Sequence, residues 1–332
     1  MVHSSNRLGL HGRSELGVKH YLCKPALAIT LLSPMIFSCN DLGELQVNYH
    51  NRILFSAGAP NNEQLFMVNP DGTDLRQLTT GPFNNHNGYW SSDASRIAFN
   101  SSENGSTGGE FVFVMDSDGK HRHSLDVIGV VKGWSRDNTR IVFVSCPLCE
   151  GGGDLSSYIC VVNADGTGFR QLTTSPGDVL VNDDDACFSA DGMKIYFDSN
   201  RGLPPQSGGE IYVVNADGSG LRRLTYFNRY SGSPAVSPDG KMLAFWSGNT
   251  DWPLSGIYTM NTDTTALRLV IADLPNEVYT GPRWSPDGSR FVIRAYPPAS
   301  SDIGSLCVLD ASGNGLRTIV NSLTFDGLDW SR

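Results

Sequence analysis

Trp284-Ser285-Pro286-Asp287-Gly288-Ser289-Arg290-Phe291-Val292-Ile293 decides the fold, because the chain repeats it. Trp90-Ser91-Ser92-Asp93-Ala94-Ser95-Arg96-Ile97-Ala98-Phe99 is a second copy, and Trp330-Ser331-Arg332 begins another. The continuation missing after Arg332 stands near the other end, as Asn51-Arg52-Ile53-Leu54-Phe55-Ser56. A repeat divided between the two ends predicts a closed ring in which the last strand completes the first unit.

Working outward, the Arg-Ile-x-Phe element recurs at Arg52–Phe55, Arg96–Phe99, Arg140–Phe143, Lys194–Phe197, Met242–Phe245 and Arg290–Ile293. The Trp-Ser element recurs at Trp90, Trp134, Phe188, Val236, Trp284 and Trp330, each followed by serine. Both series have six members, 44 to 54 residues apart, the spacing of a four-stranded propeller blade. Between them runs a third element, Met67-Val-Asn-Pro-Asp-Gly-Thr73 followed by Leu75-Arg-Gln-Leu-Thr79. It returns at Val161–Thr173 and Val213–Thr225. Asp-Gly between β-rich runs marks a hairpin, because the favoured turn needs positive φ. Each unit therefore reads as four strands. Strand A carries Trp-Ser, strand B Arg-Ile-x-Phe, strand C the run before Asp-Gly, and strand D ends in Leu-Thr. Strands B and C are apolar at most positions, as expected where both sheet faces are covered by neighbouring blades. The fold class expected is all-β: a six-bladed β-propeller over residues 51–332, with blade one taking its strand A from about 326–331. Trp90, Trp134, Trp284 and Trp330 are expected between blades.

Trp284-Ser-Pro-Asp-Gly288, Ser237-Pro-Asp-Gly240 and the Asn-Ala-Asp-Gly-Thr…Arg-Gln-Leu-Thr pattern resemble the TolB-type propeller repeat. The resemblance covers roughly residues 50–332. It implies the propeller fold, and an envelope scaffold that binds a protein or peptide. The α/β domain that precedes the propeller in TolB has no counterpart in the ten or so residues between Cys39 and the first strand. Membership of a Tol–Pal complex is therefore not implied. Related propellers include carbohydrate lyases with a His-rich metal site, so a carbohydrate-binding or lyase-like propeller is the alternative.

Composition agrees with a turn-rich β protein: 36 glycines and 18% charged residues in 332. The net charge of −9 argues against a nucleic-acid partner. Lys19 and Lys24 flank the start of an apolar run from Pro25 to Phe37, too short to span a bilayer but long enough for an export signal. It ends Ile36-Phe37-Ser38-Cys39, which resembles a lipobox, with a bulkier Phe37 than that pattern favours. The expectation is a targeting segment over 1–38, lipidation at Cys39 and a linker over 39–50. The protein would then be exported and membrane-anchored, facing the periplasm or the cell exterior. The polar residues 1–17 suggest a true start at Val18.

The A–B and C–D turns share one face and are short and repetitive. The B–C and D–A loops share the other and vary, and function concentrates in variable loops on a rigid scaffold. His86, Asn87, Lys132, Asp183, Asp184, Asp185, Tyr279 and Asp326 fall by repeat phase near the channel mouth on that variable face, as a candidate ligand site. Asn182-Asp183-Asp184-Asp185 is read as a loop before strand A of blade four. Its three carboxylates are the candidate Ca²⁺ site, against the plainer reading of a solvated acidic loop; no other cofactor is expected. Phe83, Tyr226, Phe227, Tyr230, Trp252 and Tyr296 are candidate stacking residues, or pack beneath their own loops. Cys146-Pro-Leu-Cys149 is read as a local disulfide rather than half a zinc site. No Gly-x-Ser-x-Gly or His-Glu-x-x-His occurs, so no catalytic residue is assigned and an enzyme is the less favoured class.

Overall fold

The computed structural model describes residues 49–103, 110–145, 156–176, 180–204, 208–227, 229–248, 255–298, 304–323 and 327–332. Cys39, Cys146, Cys149, Trp252, Asp326 and the expected targeting segment lie outside the described residues. Among the described residues the strands form six four-stranded antiparallel sheets, each in the order A-B-C-D. Successive A strands touch one another around a central channel, and the strand of blade one touches those of blades six and two. The architecture is a six-bladed β-propeller. No helix among the described residues is long and apolar enough to cross a membrane.

The divided repeat closes as its pattern demands. Leu328–Trp330 pairs with Ile53–Ala59, in the register Ile53 to Trp330 and Phe55 to Leu328. Inside a complete unit the Trp-Ser hydroxyl accepts the N–H of the strand-B arginine, as Ser91 does from Arg96 and Ser285 from Arg290, each at 2.9 Å. Ser331 accepts the Arg52 N–H at 2.7 Å, the same bond made between the two ends of the chain.

The repeated residues also explain how blades hold each other. The strand-B arginine lies over the aromatic ring at the Trp position of the next blade: Arg96 over Trp134 at 4.8 Å, Arg140 over Phe188 at 5.2 Å and Arg290 over Trp330 at 5.2 Å. Trp134 and Trp284 donate Nε1–H to Tyr89 and Ala235 carbonyls of the preceding blade. The strand-B phenylalanines Phe55, Phe99, Phe143, Phe197 and Phe245 are buried, as are all four tryptophans of the series. The Leu-Thr threonines secure strand D: Thr79, Thr173 and Thr225 accept the strand-C amides of Leu65, Ile159 and Ile211. The core is thus a ring of inter-blade clusters; one joins Val292, Leu306 and Val308 of blade six to Ile53, Phe55 and Trp330 of blade one.

Candidate functional site

Strand A lines the channel, and it is not regular. Strands A and B slip register between His86 and Tyr89, Val131 and Gly133, Asp184 and Cys187, Gly232 and Ala235, and Thr280 and Arg283. At one phased position, three before the Trp, the backbone is left-handed: Asn87 at φ 49°, Asp185 at 44°, Ser233 at 55°, Gly281 at 61° and Gly327 at 74°. A bulge in this conformation re-aims the side chain that follows the strand's alternation. Three of these five residues are not glycine, and such strain persists where surrounding contacts fix it.

Those contacts form a charged network around the channel. Lys132 Nζ lies 2.6 Å from Asp184 and 3.1 Å from Asp185. Ser233 donates its hydroxyl to Asp185 at 2.6 Å. Tyr230 donates to Asp198 at 3.1 Å. Burial alone would raise Asp185 and lower Lys132, but each holds the other charged: the carboxyl sits below its ordinary value and the ammonium above. Asp198 moves the opposite way, raised well above the carboxylate range by burial and by the charges of Asp185 and Asp184. Two carboxyls near Ser233 are therefore shifted in opposite directions. Deeper in the channel, Arg283 donates to the Tyr89 hydroxyl at 3.3 Å, and Asp329 accepts the Trp90 N–H at 2.9 Å.

Burial pushes Asp329 up to about 6, against the pull of Arg283. A carboxyl raised in the folded chain binds its proton more tightly there than when unfolded. Its contribution to stability is full below the unfolded value, about 4, and is lost as pH rises through 6. Asp329→Asn keeps an acceptor for Trp90 and is expected to raise stability near pH 8 by about 1–3 kcal/mol, with no gain near pH 4. Melting both chains across that range isolates the group. Equal melting differences at both ends would show that Asp329 titrates normally.

The sequence-predicted residues separate into three groups. Lys132, Asp184 and Asp185 converge, and Asn87 shares the bulge position. His86 is buried beside them in sequence but packs outward, with Nε2 2.6 Å from Glu110 and Nδ1 3.6 Å from Glu63. Two expectations are corrected. Asp183–Phe188 is strand A itself and not a preceding loop. Alternation along it turns Asp183 into the blade, fully buried against Arg201, Ser199 and Thr173. The three carboxylates therefore do not meet at one point, and among the described residues no group of His, Cys, Asp and Glu is arranged to hold a metal ion. Tyr279 does not reach the channel mouth: it is 1% exposed, packed with Trp284 and Phe291, and its hydroxyl bonds Glu277 at 2.7 Å. Of the loop aromatics, Phe83, Tyr226 and Tyr230 are exposed, while Phe227 stacks on Phe245.

Sequence reasoning passed over Arg136, Arg283, Asp329 and Arg332, which line the cavity at the A–B end of the channel. The signal was available: the residue after Trp-Ser is arginine only in blades three and one, and Ser, Ala or Pro elsewhere. Cys160, Cys187 and Cys307 are free thiols. Burial pushes Cys160 up to about 12 and Cys187 to about 11, so both are poor nucleophiles at neutral pH.

Residues 133–324 match the family model of the TolB β-propeller domain. No curated protein matches the chain in sequence. The fold is similar to TolB from Acinetobacter baumannii, with 18% identity and a TM-score of 0.66 over 85% of this chain and 67% of that one. It is also similar to a protein assigned as TolB in Agrobacterium tumefaciens, with 17% identity and a TM-score of 0.63 over 85% and 99%. An oligogalacturonate lyase in complex with manganese follows at 14% identity and a TM-score of 0.55, over 82% and 74%. At these identities the likeness is one of fold.

Proposed function

The chain belongs to the TolB β-propeller family, and from that premise we propose that it is an envelope-anchored scaffold that binds a protein or peptide on its B–C/D–A face. A lipid on Cys39 would hold it at the membrane, facing the periplasm or the cell exterior. One observation carries the reading. Four D–A connections present an exposed large apolar residue, Phe83, Leu180, Tyr226 and Leu274, and in blade two the exposed Ile128 ends strand D just before the one-residue link. Tyr226 is 69% and Leu180 56% exposed. They differ in type from blade to blade, unlike the exposed Leu75, Phe169, Leu221, Leu267 and Leu316, which recur at one position of the repeat. Apolar anchors ringed around a polar centre suit a protein surface, where a few such residues dominate binding.

On the other face Met193 is exposed as well, but the repeated turns are short and self-satisfied. Their aspartates are consumed locally: Asp71 by Thr73, Asp165 by Thr167, Asp217 by Ser219 and Asp287 by Ser285 and Ser289. The test compares the full chain with a Leu180→Ser/Tyr226→Ser double variant as bait for envelope extract. The expected result is one or more proteins retained by the natural chain and reduced about tenfold or more with the variant, the effect of losing about 1.4 kcal/mol. Equal retention by both would sink the assignment to this face.

A carbohydrate-active propeller is the second reading. What favours it is that the two carboxyls near Ser233 are shifted apart, Asp185 downward and Asp198 upward, a separation of the kind acid–base chemistry on sugars uses. Selective binding on a glycan array, abolished by Asp185→Asn, would move the assignment to this reading.

A further inference from the structure

The A–B end of the channel holds a cavity of about 110 Å³ whose charged lining is unbalanced. Lys132, Arg136, Arg283 and Arg332 face it, with Asp329 as the one acidic side chain among the lining residues. Lys132 is already neutralised by Asp184 and Asp185. Three guanidinium groups remain, from three blades. Arg136 leaves the A–B turn of blade three and donates to the Pro238 carbonyl of blade five at 2.8 Å, so its side chain crosses the mouth past blade four. Arg332 comes from blade one. Burial disfavours its charge, Asp329 partly restores it and Arg136 opposes it again, so two like charges share the same opening beside one carboxylate. Arg283 rises from strand A of blade six, its guanidinium fixed by the Tyr89 hydroxyl and the Pro282 carbonyl.

None of the three belongs to the repeat. The positions of Arg136 and Arg332 are Ser92, Ala190, Pro238 and Pro286 in the other blades, and that of Arg283 is Tyr89, Gly133, Cys187, Ala235 and Asp329. Propeller geometry does not require them, and gathering like charges in a chain of net charge −9 opposes folding unless something answers them. The walls include Trp90, Trp134, Trp284 and Trp330, which keep the cavity's dielectric low and strengthen any charge–charge contact inside it. Guanidinium groups match carboxylate and phosphate oxygens in pairs of parallel hydrogen bonds.

We propose that this cavity is a binding site for a small oxyanion, a carboxylate or phosphate group held by Arg136, Arg283 and Arg332. The site lies at the end of the channel opposite the D–A loops and does not depend on the partner proposed there. An occupant would relieve the repulsion between Arg136 and Arg332 and tie blades one, three and six together.

Calorimetric titration of the full chain with inorganic phosphate, and separately with acetate, at low ionic strength and without chloride, tests the site. Saturable one-to-one binding of at least one anion is expected. Phosphate alone would assign a tetrahedral oxyanion, and acetate alone a carboxylate. Arg283→Gln and Arg332→Gln should each weaken binding about tenfold or more, Arg332→Lys less than Arg332→Gln, and Asp329→Asn should tighten it by removing the opposing charge. Melting curves of each variant confirm that the ring is closed before titration. No saturable heat with either anion overturns the proposal. So does binding that the two glutamine variants leave unchanged.

Discussion

Trp330→Ala is expected to destabilise the propeller by about 3–5 kcal/mol, the range for removing a buried aromatic side chain from a packed core. Trp330 is 3% exposed and belongs to the cluster joining blade six to blade one. Three separate contacts go with it: the Arg290 guanidinium over its ring, the Nε1–H donated to Asn51 at 2.9 Å, and the packing on Ile53 and Phe55. In an interior blade, loss of a Trp leaves the strand covalently held by its turn. Here no turn joins strand A to strand B, and the strand is held by non-covalent contacts: its ladder to Ile53–Phe55, the Ser331 bonds to Arg52 and Tyr49, and the Asp329 bond to Trp90. Loss of the indole therefore weakens the only closure of the ring and exposes unpaired strand edges. Chemical denaturation of the natural chain, Trp330→Ala and the interior control Trp134→Ala measures this. Both should lose stability. Only Trp330→Ala should also lower the denaturant slope, as the native state frays at blade one. An unchanged slope with a smaller loss than in the control would mean that the closing strand is not a weak point.

The fold could be read from residues that repeat, and the channel could not, because it is built from residues that do not. Trp-Ser, Arg-Ile-x-Phe and Asp-Gly each perform one task in every blade, so counting them gives blade number, strand order and closure. Strand A differs from blade to blade, and its left-handed bulge has no fixed residue: Asn87, Asp185, Ser233, Gly281 and Gly327 occupy it. Polar residues tolerant of positive φ were visible there, but their convergence depends on the bulge and not on composition. Asp183, Asp184 and Asp185 show the consequence. Three adjacent carboxylates look like one acidic patch in a line of text. In a bulged strand they diverge, one to the blade interior and two to Lys132. Tyr279 fails for a related reason, since its phase was correct and its direction was not.

A signal for Asp183 did exist in the spacing. Asn85 and Ser101, Asp183 and Ser199, and Ser231 and Ser247 are each sixteen residues apart, and each pair joins strand A to strand B by a side-chain hydrogen bond. An arginine completes each clasp: Arg122 on Asn85, Arg201 on Asp183 and Arg229 on Ser247. Asp183 is the one carboxylate in a structural clasp whose strand-A member in the other two blades, Asn85 or Ser231, is neutral. Burial raises its carboxyl even against Arg201, so the ionised pair is held at a cost in desolvation. Removing one partner therefore has a larger effect than removing both. Arg201→Met is expected to cost about 3–5 kcal/mol at neutral pH, because it strands a buried carboxylate, and the loss should shrink in acid as Asp183 protonates. Asp183→Asn/Arg201→Met, which keeps a neutral Asn–Ser pair like that of Asn85 and Ser101 and leaves no buried charge, should recover most of that stability at neutral pH. Denaturation of the natural chain and the two variants near pH 5 and pH 8 decides it. A double variant no more stable than Arg201→Met at the higher pH would show that Asp183 needs its charge, and would return it to the candidate site from which the clasp removes it.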